Sequence, residues 1–240
     1  MKNNGTIVVF GHKGASSIAP ENTIESFQKA IELKADFIEF DLRLSKDHEI
    51  VVIHDENTLD LTGHNDYVNA MTLKELKELN VGNSEKIPTL IEVIGVVKGK
   101  INLHPEIKVP GLGMDLINIL QKNKLIESSL LSCFDIKELL KIKEIEPKLK
   151  LAYLIPQALT YKRLVKRYLQ RAIDNELFAI HPYHQIVDRD FVKFAHANGL
   201  KVNVWTVNDE IIMKNLVYLG VDGIMTDDIA LLNQVLGRSY

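Results

Sequence analysis

Carboxylates that could bind a cation follow one another along short apolar stretches of the chain. Glu39 and Asp41 stand two residues apart within residues 37–44, so in a β-strand both side chains point to the same face. A third carboxylate, Glu106, falls within residues 101–108. Carboxylates gathered on one buried face repel each other unless a cation lies between them, and an all-oxygen set favours a hard ion. The sequence therefore predicts one divalent cation, Mg²⁺ or Ca²⁺ and otherwise Mn²⁺, bound by these three residues.

Two lysines lie next to the predicted cation ligands. Lys13 follows the first apolar run, and Lys108 stands two residues after Glu106. Ammonium groups beside a cation supply positive charge where a phosphate would bind. The alternative is structural, with Glu39 or Glu106 simply forming salt bridges to these lysines.

His12 and His54 are the candidate general acid and base, because histidine exchanges protons near neutral pH. Trp205, the only tryptophan, either lines a substrate pocket or packs in the core. Asp227 is either a carboxylate behind the site or the cap of a helix that begins near Asp228. Four histidines are expected to be structural or exposed (His48, His64, His184 and His196), and two are undecided (His104 and His181).

The elements that would position these residues alternate between β-type and amphipathic runs, which is typical of βα units. Nine strand-like runs occur, at residues 7–10, 37–44, 50–54, 101–108, 129–134, 149–155, 178–181, 202–207 and 223–226. The connection between residues 44 and 50 is too short for a parallel crossover, so the third run must return as a hairpin. The other eight predict a (β/α)₈ TIM barrel, whose chemistry lies at the carboxyl ends of its strands.

The whole chain, residues 1–240, is expected to form a single domain with an insertion at about residues 45–98. Helices are expected to begin near Asn22, with Glu25 completing a capping box, and at Thr72, with Glu75 in the same relation. Later helices are expected from about residue 190 to 198 and from about residue 208 to 219, each followed by a glycine.

Composition excludes several classes of partner. The net charge of −3 argues against docking on nucleic acid, and no stable membrane association is expected because no apolar stretch approaches a bilayer-spanning length. A single cysteine, Cys133, rules out an internal disulfide, and without a signal-peptide core the chain is predicted to be cytoplasmic. The sequence gives no indication of the oligomeric state.

Residues 11–60, GHKGASSIAPENTIESFQKAIELKADFIEFDLRLSKDHEIVVIHDENTLD, resemble the opening signature of the glycerophosphodiester phosphodiesterase family. Further matching stretches are IPTLIEVI at 87–94, EIK at 106–108, SCF at 132–134, VNVWTVND at 202–209 and GVDGIMTDD at 220–228. The resemblance implies a barrel with an insertion after the second strand and metal-dependent hydrolysis of glycerophosphodiesters to glycerol 3-phosphate and an alcohol.

The resemblance also implies residue roles. The catalytic histidines of the family fall on His12 and His54, the metal-binding carboxylates on Glu39, Asp41 and Glu106, and two substrate-binding residues on Lys108 and Trp205. The chain departs from the family at Lys13, where arginine is usual, and lysine lacks the planar fork that arginine offers to phosphate. Two alternatives stay open, a phospholipase D-type hydrolase of lysophospholipids and a barrel that binds without turnover.

Overall fold

Eight parallel strands close into a barrel in this computed structural model, which describes residues 6–159 and 162–239. The strands are β1 (Val8–Gly11), β2 (Phe37–Leu44), β3 (Ile50–Val52), β4 (Asn102–Ile107), β5 (Leu130–Cys133), β6 (Lys150–Leu154), β7 (Ala179–His181), β8 (Lys201–Val204) and β9 (Gly223–Thr226). All are parallel except β3, which pairs antiparallel with β2, while β1 pairs with both β2 and β9 to close the ring. The prediction of a (β/α)₈ barrel with a returning hairpin is confirmed.

Helices lie between the strands and after the last one. They are α1 (Ile24–Glu32), α2 (Leu59–Thr62), α3 (Leu73–Glu78), α4 (Leu90–Val97), α5 (Gly113–Asn123), α6 (Ile136–Ile145), α7 (Lys162–Asp174), α8 (Arg189–Ala197), α9 (Glu210–Leu219) and α10 (Ile229–Val235). The segment between β2 and β4, which includes the predicted insertion at about residues 45–98, contains β3, α2, α3 and α4.

The hydrophobic side chains form separate buried clusters. The largest joins the outer faces of the strands to the helices, and it includes Phe27, Phe40 and Leu116, all fully buried. A second cluster lies within the segment between β2 and α4, at Val51, Ile53, Val68, Leu76, Leu79, Val81 and Ile87. Burial on this scale is the main favourable contribution to folding, at roughly 25 cal/mol per Å² of apolar surface.

The structure agrees with one predicted helix start and differs from another. Thr72 caps α3 and forms a capping box with Glu75, as expected. The prediction at Asn22 is wrong, because Thr23 is the cap of α1 and its side chain accepts a hydrogen bond from the backbone N of Ser26. Asn22 has a left-handed backbone, with φ of 58°, and its side chain turns toward the barrel interior.

The predicted start of α9 near Asn208 is one residue early. Asp209 is the cap of this helix, and its carboxylate accepts hydrogen bonds from two backbone N–H groups of the first turn. The side chain of Asn208 is engaged at the carboxyl end of β9 instead. Among the described residues, no helix has both the length and the apolar character needed to cross a bilayer.

Candidate active site

Three buried carboxylates converge at the carboxyl end of the barrel. In the register between β2 and β4, Asp41 lies opposite Glu106, and Glu39 lies opposite His104. Glu39, Asp41 and Glu106 are 3%, 1% and 8% exposed, and one carboxylate oxygen from each lies within 4.8 Å of the others. The strand alternation therefore places these three side chains together, as the sequence predicts.

The electrostatics of this cluster fit a bound cation. Burial and the neighbouring Asp41 raise the pKa of Glu39 to about 8, and burial, with Asp41 again adding, raises the pKa of Glu106 to about 7. Protein groups alone thus leave part of the cluster protonated near neutral pH. A divalent cation would hold all three carboxylates ionised, and carboxylate oxygens are ligands that hard cations prefer.

Lys108 contacts two of the three carboxylates. Its ammonium lies 3.1 Å from Asp41 Oδ1 and also contacts Glu106 Oε1. Burial alone would lower the pKa of Lys108, but these two carboxylates raise it above its ordinary value. The salt-bridge alternative for Lys108 is therefore present in the structure, and its ammonium also lines the cavity described below.

Asn22 is a site residue that the sequence analysis missed. Its side-chain Nδ2 donates to Asp41 Oδ2 at 2.9 Å, and its Oδ1 accepts from the backbone N of Asp41 at 3.2 Å. With one carboxylate oxygen fixed by Asn22, Asp41 presents the other toward Lys108. Asparagine is a favoured helix N-cap, so the sequence places Asn22 at a helix start rather than beside Asp41.

His12 follows β1 and is anchored on both sides. Its backbone N donates to Thr226 O at 2.9 Å, and its ring Nδ1 lies 2.7 Å from Asp227 Oδ1. Burial opposes protonation of His12, but the hydrogen bond with Asp227 and the nearby Glu39 outweigh burial and raise the pKa of the ring. Of the two roles left open for Asp227, the structure shows the first, since Asp228 caps α10.

His54 is brought to the same cavity by the hairpin rather than by a barrel strand. The backbone N of Ile53 donates to Asp41 O at 3.0 Å, and the Arg43 guanidinium donates to the backbone O of His54 at 2.8 Å. The ring Nδ1 of His54 lies 2.7 Å from Asp55 Oδ1, and the side chains of His54 and Asp55 are both more than 40% exposed. His54 is therefore held by its backbone and remains open to solvent.

Lys13 takes a different position from the one expected. Its backbone N donates to Glu39 Oε2 at 2.9 Å, but its ammonium donates to both carboxylate oxygens of Glu21 at 2.9 Å. The structural alternative, a salt bridge, thus describes Lys13, although its partner is Glu21 rather than Glu39 or Glu106. The backbone of Lys13 is left-handed, with φ of 55°, as is that of Gly14.

Trp205 forms one wall of the cavity. Its indole Nε1 donates to His181 O at 2.8 Å, and its ring packs edge-on against Phe134 and Tyr183. The cavity has a volume of about 140 Å³ and is lined by His12, Glu39, Asp41, His54, His104, Glu106, Lys108, Ser132, Phe134, Leu154, Trp205 and Met225. Both readings of Trp205, pocket wall and packing residue, therefore hold.

His104 and His181, undecided from the sequence, are buried in the barrel interior, and His104 also lines the cavity. His104 Nδ1 donates to Leu130 O, and His181 Nε2 accepts from Asn203 Nδ2 at 3.0 Å. Burial lowers the pKa of His104 to about 4 and that of His181 well below its ordinary value. Both rings are thus neutral and pack beside Phe10 in the barrel interior.

Comparison with known proteins agrees with this geometry. Residues 12–231 match the glycerophosphoryl diester phosphodiesterase family. The glycerophosphodiester phosphodiesterase of Caldanaerobacter subterraneus subsp. tengcongensis is 35% identical over 234 residues, covering 92% of this chain and 94% of the relative. A match of this extent to one family shows family membership.

Two solved structures share the fold over nearly their whole length. The glycerophosphodiester phosphodiesterase of Thermotoga maritima has a TM-score of 0.79 and 30% identity, covering 95% of this chain and 98% of that one. An Oleispira antarctica phosphodiesterase, solved in complex with the product sn-glycerol-3-phosphate, has a TM-score of 0.85 and 26% identity, with 96% of each chain covered. The chain belongs to the glycerophosphoryl diester phosphodiesterase family, and it is a phosphoric diester hydrolase.

Proposed function

We propose that this chain hydrolyses small glycerophosphodiesters to glycerol 3-phosphate and an alcohol, using one divalent cation and two histidines. The observation that carries the proposal is the convergence of Glu39, Asp41 and Glu106 with His12 and His54 on one cavity. Carboxylates raised in pKa by burial and by each other mark a site built for a cation rather than for packing. The product bound in the Oleispira antarctica relative indicates the glycerol phosphate half of the substrate.

The cation, Mg²⁺ or Ca²⁺ and otherwise Mn²⁺, would be held by the three carboxylates and would supply Lewis-acid polarisation of the phosphoryl group. His12 and His54 act as the acid and base pair, one taking a proton from the nucleophile and the other giving a proton to the departing alkoxide. Each ring has Nδ1 paired with a carboxylate, which leaves Nε2 for proton transfer.

Lys108, Lys13 and Trp205 are proposed to bind the substrate. The ammonium of Lys108 already lines the cavity and would offset charge that develops on phosphoryl oxygens. Lys13 would reach phosphate only after its ammonium leaves Glu21, which lies eight residues along the same loop. Trp205 lines the same cavity with an apolar ring, which suits the carbon chain of the glycerol group.

The test is release of glycerol 3-phosphate from glycerophosphocholine by enzyme that has been treated with a chelator and then given Mg²⁺, Mn²⁺ or Ca²⁺. Release restored by a cation supports the proposal. His12→Ala and His54→Ala should each lower kcat by about 10²-fold or more, because general acid or base catalysis contributes on that scale. His64→Ala, at an exposed histidine of the segment between β2 and α4, is the matched control and should keep the native rate.

Two results would contradict the proposal. One is turnover of glycerophosphocholine that persists unchanged in excess chelator. The other is native kcat in both His12→Ala and His54→Ala with cation present. Lysophosphatidylcholine, assayed in parallel, distinguishes a lysophospholipid hydrolase from an enzyme for small soluble diesters.

A further inference from the structure

Asp227 lies directly behind His12 and is itself held by groups from two loops, the one that follows β1 and the one that follows β8. Its Oδ1 accepts a hydrogen bond from His12 Nδ1 at 2.7 Å and lies 2.9 Å from Ser16 Oγ, while its Oδ2 accepts from Asn208 Nδ2. Burial alone would raise the pKa of Asp227, but these hydrogen bonds and the nearby His12 lower it to about 2. The carboxylate is therefore ionised and fixed in orientation, and it can act only as an acceptor.

Asn208 determines the direction of this network. Its side-chain Oδ1 accepts from the backbone N of Asp227 at 2.9 Å and from Thr226 Oγ1 at 3.0 Å. Because both of these partners are donors, the amide cannot turn over, and its Nδ2 must face Asp227 Oδ2. Every hydrogen bond in the chain that runs from Thr226 through Asn208 and Asp227 to His12 thus has a fixed donor and a fixed acceptor.

An acceptor behind His12 sets which ring nitrogen carries the hydrogen. With Asp227 as the acceptor, the hydrogen of the neutral ring lies on Nδ1, and Nε2 keeps its lone pair on the side that faces the cavity. A histidine fixed in this tautomer is ready for proton transfer at Nε2, whereas the opposite tautomer presents an N–H that cannot accept a proton.

We infer that Asp227, oriented by Asn208, is the positioning residue of His12, fixing the hydrogen on Nδ1 and directing Nε2 into the cavity. This inference rests on the proposed function only for the step in which His12 transfers a proton. The orientation itself can be measured in the absence of substrate.

Asp227→Asn is the informative substitution because the surrounding network forces the direction of the new amide. The Nδ2 of Asn208 still donates toward position 227, so the new asparagine must turn its Oδ1 to Asn208 and its own Nδ2 toward His12. His12 Nδ1 would then face a donor and become the acceptor. The hydrogen would move to Nε2, which is the wrong tautomer for accepting a proton.

The double variant Asp227→Asn with Asn208→Asp reverses this effect without changing the net charge. A carboxylate at position 208 accepts from Thr226 Oγ1, from the backbone N of residue 227 and from the new amide Nδ2. The amide oxygen at position 227 is then free to accept from His12 Nδ1. Recovery in the double variant is a result that a purely structural role for Asp227 would not produce.

Asp228→Asn is the matched control. It makes the same chemical change one residue away, at a side chain that caps α10 and does not contact His12, and asparagine caps a helix as well as aspartate does. Thermal unfolding of each variant shows whether it folds.

The first measurement is the tautomer of His12, read by ¹⁵N NMR of histidine-labelled protein above the pKa of the ring and assigned by loss of the signal in His12→Ala. We expect hydrogen on Nδ1 in the native protein and the double variant, and on Nε2 in Asp227→Asn. The second is steady-state kinetics, in which kcat of Asp227→Asn should fall by about 10²-fold with little change in KM, as for loss of a general acid or base. The double variant should regain at least about tenfold of that loss.

The inference is overturned if folded Asp227→Asn keeps the native tautomer, or if the double variant recovers neither tautomer nor rate. It is also overturned if Asp228→Asn loses as much kcat as Asp227→Asn. If no glycerophosphodiester were turned over but the tautomer changed as expected, the proposed function would be wrong and the orientation of His12 by Asp227 would still be supported.

Discussion

Replacement of Asn22 by glycine tests how the carboxylate cluster is held in shape by the protein itself. Glycine keeps the left-handed backbone at φ of 58° but removes both hydrogen bonds to Asp41. The backbone N of Asp41 and one of its carboxylate oxygens would then be buried without this partner. A buried unsatisfied donor costs about 1–3 kcal/mol and a hydrogen bond to a charged group contributes about 1.5–3 kcal/mol, so we expect a loss of roughly 2–4 kcal/mol.

Alanine at the same position should be worse than glycine by about 1 kcal/mol, because a residue with a Cβ is strained in the left-handed region. Asn83 is the matched control, since it also has a left-handed backbone, with φ of 49°, but is exposed. Asn83→Ala should differ from Asn83→Gly by a similar amount, whereas Asn83→Gly alone should lie near the native protein.

The assay is urea unfolding of the chelator-treated proteins, followed by calorimetric titration with the cation that restores activity. Loss of the group that orients a metal ligand typically weakens metal binding by about 10- to 100-fold, and we expect this for Asn22→Gly and not for Asn83→Gly. If Asn22→Gly were no less stable than Asn83→Gly and bound the cation as tightly, the reasoning about Asp41 would be refuted.

Further expectations concern pH, a glycine and an ion pair. Without cation, the free energy of unfolding should decrease as the pH rises from about 4.5 toward 8, because folded Glu39 keeps a proton that the unfolded chain releases. The expected slope is about 1.4 kcal/mol per pH unit for each retained proton. Thermal melts that show no such decline, or a decline that cation does not reverse, would contradict this expectation. Gly14→Ala should destabilise the protein by more than about 3 kcal/mol, because its φ is 88° and a Cβ would lie 2.1 Å from a side-chain oxygen of α1. Gly63→Ala, where space is open, should cost about 1 kcal/mol. Equal free energies of unfolding for the two variants would be inconsistent with the contact at Gly14. If Lys13 binds phosphate, Glu21→Gln should lower KM for glycerophosphocholine, because the Glu21 carboxylate competes with phosphate for the Lys13 ammonium. A raised KM would mean that Glu21 positions Lys13 instead.

The fold and the carboxylate cluster were predictable because both follow from short repeating rules. Alternation along β2 places Glu39 and Asp41 on one face, and a parallel neighbour in register brings Glu106 beside them. The five-residue gap between β2 and β3 allows only a hairpin, which in turn delivers His54 to the mouth. These conclusions need only the periodicity of strands and the lengths of connections.

The contacts that the sequence did not reveal depend on loop conformation. Asn22 and Lys13 both have left-handed backbones, and the side chain of each has a partner, Asp41 and Glu21, that no sequence pattern indicates. A helix is expected from about residue 208, but Asp209 caps α9, and the side chain of Asn208 contacts Asp227 instead. Capping rules cannot rank two adjacent candidates when a tertiary partner decides between them.

The two histidines belong to parts of the chain that differ in how they can open. His12 continues β1, whose Val9 lies in the largest cluster. His54 follows β3, which contributes Ile50 and Val52 to that cluster but Val51 to the separate seven-residue cluster, which Ile53 also joins. Opening that small cluster exposes far less apolar surface than unfolding the barrel, and proteins open most readily in such units. A local opening of the seven-residue cluster would therefore loosen the backbone that carries His54 while Glu39, Asp41, Glu106 and His12 keep their places in the barrel, so a change in this cluster would reach one histidine and leave the carboxylates as they are.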